Sequence, residues 1–307
     1  MADVTVGTAR AVADAELGMV PADQPRGMIR RAWEVFAENK LALASLCFVV
    51  FIFLFCFVGP LIYKTNQTNT NLELYLCKPS AEHLLGCNDL GYDQLGRLMV
   101  GGQTALEVGL AAAIVSVFFG TLYGAISGFV GGPVDAVMMR IVDAGLSLPS
   151  LMVIIILSVI FHPTPLVIIF IIAVFYWLGV ARLVRGETLS LRNREYVQAV
   201  RVIGGRPLRA VTRHVVPNSI GTIIVQATFA VADAILTLSV LGFLTLGVAP
   251  PATDWGSMLS GGLNYIQGGN YWWLIYPPGV AIILTCIAFN FIGDALRDAF
   301  ETRLQRR

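Results

Sequence analysis

Six apolar stretches, each about long enough to cross a bilayer, decide what this chain can fold into. A hydrocarbon core of about 30 Å takes roughly 20 apolar residues in helical form. Runs of that kind occupy residues 41–63, 105–130, 134–161, 166–183, 218–247 and 274–293. Charged residues make up 13% of the chain, against about 25% in a soluble domain. The sequence therefore predicts an all-α membrane protein with about six transmembrane helices. Residues 1–40 read as a tail ending in a short amphipathic helix, 41–295 as the membrane domain and 296–307 as a basic tail. Residues 1–25 mix Asp3, Asp14, Glu16 and Asp23 with Arg10, and no apolar core follows directly. That is not the pattern of a cleaved signal peptide, so the first run is expected to be an uncleaved anchor.

Basic residues set the expected orientation. Eighteen of the 21 lysines and arginines fall on one side of the six-span arrangement, and only Lys64, Lys78 and Arg97 on the other. By the positive-inside rule both ends are cytoplasmic, and loops 64–97 and 248–273 face out. The second run is rich in Gly and Ala, which lets helices approach closely. Arg140 and Asp143 lie three apart on one helical face and are expected to pair.

The chemistry of a catalyst is missing. There is no G-x-x-x-x-G-K-[ST] loop, H-E-x-x-H, C-x-x-C or G-x-S-x-G. His83, His162 and His214 are scattered over loops on both sides, so no metal site is expected from them. A net charge of +1 argues against nucleic acid as a partner. If transport is driven, another chain supplies the energy.

The most informative stretch is cytoplasmic. Tyr196, Ala199, Val200 and Ile203 recur at i, i+3, i+4 and i+7. Gly204 suits the left-handed stop of a short helix, and Pro207 the first turn of another, which ends before Pro217. A solvated basic loop would explain the eight arginines between Arg182 and Arg213. It would not explain an apolar, small-residue face with no internal partner. Docking onto another protein explains both.

This stretch resembles the cytoplasmic signature of ABC-importer permeases: Glu-Ala-Ala, three residues, Gly, nine residues, then I-x-L-P. Here it reads Gln198-Ala199-Val200, three residues, Gly204, nine residues, His214-Val215-Val216-Pro217. Gln198, Val200 and His214 depart from the pattern while the spacing is kept. The lead-in Arg194-Glu195-Tyr196-Val197 and the exit through Asn218 resemble the dipeptide/oligopeptide branch, its second, C-type permease chain. So do His83-Leu84-Leu85-Gly86-Cys87-Asn88-Asp89-Leu90-Gly91-Tyr92-Asp93, Trp255-Gly256-Ser257-Met258, Pro278-Gly279 and Asn290–Asp298. The resemblance covers about residues 28–303.

The resemblance implies a type I ABC importer permease fold in a bacterial inner membrane. It implies a homologous second permease, two ATPase subunits carrying ATP and Mg, and an extracytoplasmic binding protein that delivers peptides. No cofactor is implied in this chain. The coupling loop would be 184–217, with Glu195, Tyr196, Gln198, Ala199, Val200, Arg201, Ile203, Gly204 and Pro217 as its contact or turn residues. One departure bears on the path. The branch carries an acidic residue in its fifth span where this chain has Leu238, and Gly242 replaces a serine. The inner wall is then expected to differ in polarity.

Two further expectations come from single residues. Asp233 sits mid-way along the fifth span, where a carboxylate costs about 2.5–3.5 kcal/mol on insertion scales. It is read as part of the substrate path, with a structural hydrogen bond as the alternative. Cys77 and Cys87 share the outer loop and are expected to form a disulfide, with two free thiols as the alternative. A stand-alone secondary carrier or channel is the rival function, but no paired halves are visible.

Overall fold

The computed structural model describes residues 28–65, 67, 69–161, 163–192, 194, 216–265 and 269–305. Among them the chain is helical. In order the helices are α1 (Met28–Glu38), α2 (Lys40–Phe57), α3 (Gly59–Ile62), α4 (Gln94–Val130), α5 (Gly132–Leu146), α6 (Ser150–Ile160), α7 (Pro165–Leu191), α8 (Ile220–Phe243), α9 (Trp255–Leu263) and α10 (Trp272–Gln305). A single helical turn, Val216–Asn218, precedes α8. Five helices or helix pairs are long and apolar enough to cross a membrane, and a sixth crossing results if the bent pair α5–α6 counts as one.

Several boundaries differ from the apolar runs; the last helix, for one, runs on to Gln305, twelve residues past 293 and through the stretch read as a basic tail. The second helix starts at Gln94 rather than near 105, because Asp93 caps it by accepting from the Gly96 amide at 2.8 Å. Hydropathy misses this polar first turn. The fourth runs on to Leu191, eight residues past the apolar run, carrying Arg185 and Glu187 as helical residues. The third run is broken: α5 and α6 meet at 77° across Ser147, Leu148 and Pro149. Pro149 has no amide hydrogen and pushes Leu148 out of the helical region, so the helix stops there.

The tightest packing joins α4 to α7. Gly120, Gly124 and Gly128 lie four apart on one face of α4. A Cβ on Gly120 would meet Val180 and the Trp177 carbonyl. One on Gly124 would collide with the Ala181 carbonyl, and one on Gly128 would crowd Thr188 and the Arg185 carbonyl. Between lipid-immersed helices, close van der Waals contact replaces the hydrophobic drive. Gly109 does the same on the opposite seam, against Ile235 of α8. The main core gathers Leu106, Ala112, Ile168, Ile172, Val184, Ile235, Leu238, Leu241 and Trp255. At the other end Phe36 of α1 packs with Ala42, Ile292 and Ala295, which docks the amphipathic helix on α2 and α10.

Candidate functional site

The coupling residues Glu195, Tyr196, Gln198, Ala199, Val200, Arg201, Ile203 and Gly204 lie outside the described residues. Their flanks are described. Pro217 sits in the short turn before α8, and α7 ends just before the segment. The end of α7 is clamped to its neighbours. Arg185 donates from Nε and Nη2 to the two carboxylate oxygens of Asp135 on α5, each at 2.6 Å. Ser127 of α4 donates to the same carboxylate. Arg192 donates to the Gly128 carbonyl at 3.1 Å, a favourable place for a cation at the end of α4. Asp143 pairs with Arg182 of α7 at 2.5 Å, not with Arg140. An i, i+3 pairing was available, but α7 brings a guanidinium alongside α5. The Arg182–Asp143 pair is half exposed and contributes little, while Asp135 is mostly covered.

The opposite seam of α7, against α8, is polar. The Tyr176 hydroxyl donates to the Asp233 carbonyl at 3.2 Å and shares a 2.5 Å hydrogen bond with Thr237. Further along, Thr222 donates to Glu187 at 3.2 Å. Tyr176 and Glu187 are eleven residues apart, as are Asp233 and Thr222. Eleven residues make about three turns, so both contacts fall on one face, roughly 16 Å apart along the helices. The Asp233 side chain is exposed on this face, between Gln226 and Leu236. Leu238 instead is fully buried in the core. The missing acidic residue therefore changes the packed interior of this chain rather than its open face. Gly242 has its own reason: a Cβ there would run into the Asp254 carboxylate.

The outer loop is a small ordered unit. Cys77 and Cys87 are joined, with Cα atoms 4.8 Å apart. His83 Nδ1 lies 2.9 Å from Asp93 Oδ2, and the Tyr63 hydroxyl donates to the same oxygen at 2.8 Å. Burial, then the bond to Asp93, pushes the Tyr63 phenol up to about 12. The Trp273 indole donates to the Cys87 carbonyl at 3.2 Å, which ties the loop to α10. Cys77, His83 and Cys87 place potential ligand atoms within 4.8 Å of one another. With the two sulfurs bonded to each other, neither offers the thiolate through which a cysteine binds a metal. Asp254 is fully buried and caps α9 in a capping box with Ser257. Burial holds its carboxyl above the usual carboxylate range.

These features meet a known pattern. Residues 120–306 match the family described as binding-protein-dependent transport system inner membrane component, and residues 27–79 match the N-terminal TM domain of oligopeptide transport permease C. The chain belongs to the binding-protein-dependent importer permeases. It is 38% identical over 275 residues to the dipeptide transport system permease protein DppC of Bacillus subtilis, covering 90% of this chain and 86% of that one. It is 39% identical over 280 residues to the oligopeptide transport system permease protein OppC of Escherichia coli K12, covering 91% and 92%. The Haemophilus influenzae OppC is 39% identical over 280 residues, covering 91% and 89%. The protein is thus a multi-pass inner-membrane permease component of an ABC importer, and not a stand-alone carrier.

Three acidic residues of this permease were not singled out from the sequence: Glu187, described above, Glu107 and Asp254. Glu107 is exposed in α4, one turn beyond Gln103, whose amide donates to the Cys56 carbonyl at 2.8 Å. Its signal is a lone charge inside a Gly/Ala-rich run, which hydropathy averaging hides. Asp254 was legible through Asp254-x-x-Ser257, a helix-start pattern.

Proposed function

We propose that this permease forms half of the translocation pathway for peptides handed over by an extracytoplasmic binding protein. A homologous second permease supplies the other half. Two ATPase subunits, carrying ATP and Mg, dock on the segment around residues 194–204, with both termini on their side. The observation that carries the reading is the α7–α8 face. It is polar at two levels, and among the described residues it leaves the Asp233 carboxylate exposed at mid-span. An ionised group at that depth needs water or a polar partner. A transport path against a second permease provides one. The peptide substrate is supported by the names of relatives that match nine-tenths of the chain.

The experiment is purification of the tagged permease from its native membrane, followed by peptide uptake in proteoliposomes with the binding protein and ATP. The reading expects a second permease and an ATPase to co-purify, and uptake to require ATP. Recovery of the chain alone, with ATP-independent uptake, would defeat it.

A further inference from the structure

On the outer side, a cavity of about 340 Å³ lies between the disulfide-bonded loop and the turns around α9. That volume is at the small end of ordinary ligand pockets. Its walls carry one cation, Arg97, and one anion, Asp89, with neutral hydrogen-bonding groups such as Asn88, Thr245 and Asn264 around them.

The cation is held without a direct ion pair. Arg97 stands in the first turn of α4. One guanidinium nitrogen, Nη1, donates to the Pro251 carbonyl at 2.9 Å, and the group lies over the Tyr92 ring at 4.9 Å. Among the described residues no carboxylate is within ion-pair distance of it. A guanidinium has five N–H donors in a planar fork suited to a carboxylate, so most of its capacity remains. Two acids are near enough to act on Arg97 through space, Asp89 and the fully buried Asp254, whose Oδ1 caps α9. Among the described residues Asp89 has one long hydrogen bond, from the Tyr265 hydroxyl at 3.4 Å. A carboxylate has about four acceptor positions, so it too has capacity to spare.

A small space with a preset cation, a preset anion and neutral polar groups around them fits a ligand with the complementary pattern. We propose that this cavity is a binding site for a short zwitterionic peptide. The peptide's C-terminal carboxylate sits on Arg97 and its N-terminal ammonium on Asp89, while the neutral side chains take its backbone amide groups. The site lies outside the α7–α8 face and would hold a peptide on the permease before it enters the membrane. This assignment rests on the peptide reading given above for the substrate. The same charge pair could instead engage side chains of the external binding protein, and the test separates the two.

The test uses the assembled, nucleotide-free importer in detergent, without its binding protein. The probe is alanyl-phenylalanine, followed by equilibrium dialysis, beside its N-acetyl and C-amide forms. The proposal expects saturable binding of the free dipeptide, at least tenfold weaker binding of each blocked form, and a loss of at least tenfold in Arg97→Gln and in Asp89→Asn. Arg97→Gln also removes the contact to Pro251, so Asp89→Asn, which leaves that contact in place, is the deciding variant. Equal binding by Asp89→Asn and the parent complex overturns the proposal. So does an absence of saturable binding. If the variants lose affinity for the binding protein while no dipeptide binds, the charge pair belongs to that interface and the proposal fails. ATP-driven uptake by the parent importer would persist in each of these cases, so the wider functional reading stands or falls separately.

Discussion

Helix α7 has two seams of opposite character. Against α4 it packs through Gly120, Gly124 and Gly128 and is clamped at its end by Arg185 and Arg192. Against α8 it touches through a tyrosine, two threonines and a glutamate, with Asp233 exposed beside them. The first seam leaves no room for water and no slack for sliding. The second is joined by hydroxyl hydrogen bonds that water could replace at little net cost. The segment read as the ATPase dock connects α7 to α8, across the weak seam. A push delivered there would part α7 from α8 while α4 and α7 travel together.

The largest effects are expected at the dock. Ala199→Trp and Gly204→Val should abolish ATP-driven uptake and reduce the ATPase that co-purifies, while the protein still inserts, since no span is touched. Arg201→Ala should do less. Normal uptake by Ala199→Trp with a full complement of ATPase would leave the segment as a mere solvated loop.

Gly124→Leu attacks the tight seam itself. Overpacking costs about 1–3 kcal/mol, and the obstacle here is backbone rather than a movable side chain. The expected result is a lower thermal midpoint of the purified complex and severalfold lower uptake. The same change at Gly179, whose Cβ position is open, should leave the midpoint unchanged. Equal effects at the two glycines would erase the distinction between the seams.

Asp233→Asn tests the open seam with less disturbance. Uptake should fall severalfold while the thermal midpoint and subunit composition stay as in the parent, because the carboxylate makes no packing contact in the core. The smallest effect on uptake is expected from Cys77→Ser. Closing so short a loop stabilises the outer unit by about 3 kcal/mol through chain entropy, a local gain that limited proteolysis of the loop would read. Cleavage should appear in the variant and be absent from the parent.

The membrane spans were legible because hydropathy is additive along the chain and lipid punishes every exception. The close α4–α7 approach was foreshadowed by Gly and Ala content. What the sequence hid were choices settled by distant neighbours. Asp143 had a local partner in Arg140, yet takes Arg182, 39 residues away. A single proline at 149 breaks a run that hydropathy reads as continuous. Leu238 stood at a position read as facing the path, and only its packing among core residues showed otherwise. The outer cavity draws on residues from 88 to 274, a grouping that only the fold brings together.

The two-seam account is tested most directly by thiol accessibility in the assembled importer, starting from a version whose free cysteines Cys47, Cys56 and Cys286 are replaced by serine or alanine. Single cysteines are placed at Asp233 and Gln226 on the open seam, and at Ala181 on the sealed one. A charged, membrane-impermeant methanethiosulfonate is then applied in the resting and ATP-bound states. The account predicts labelling at 233 and 226 whose rate changes with nucleotide, and none at 181 in either state. Unreactive cysteines at 233 and 226 in both states, or labelling at 181 equal to theirs, would contradict it.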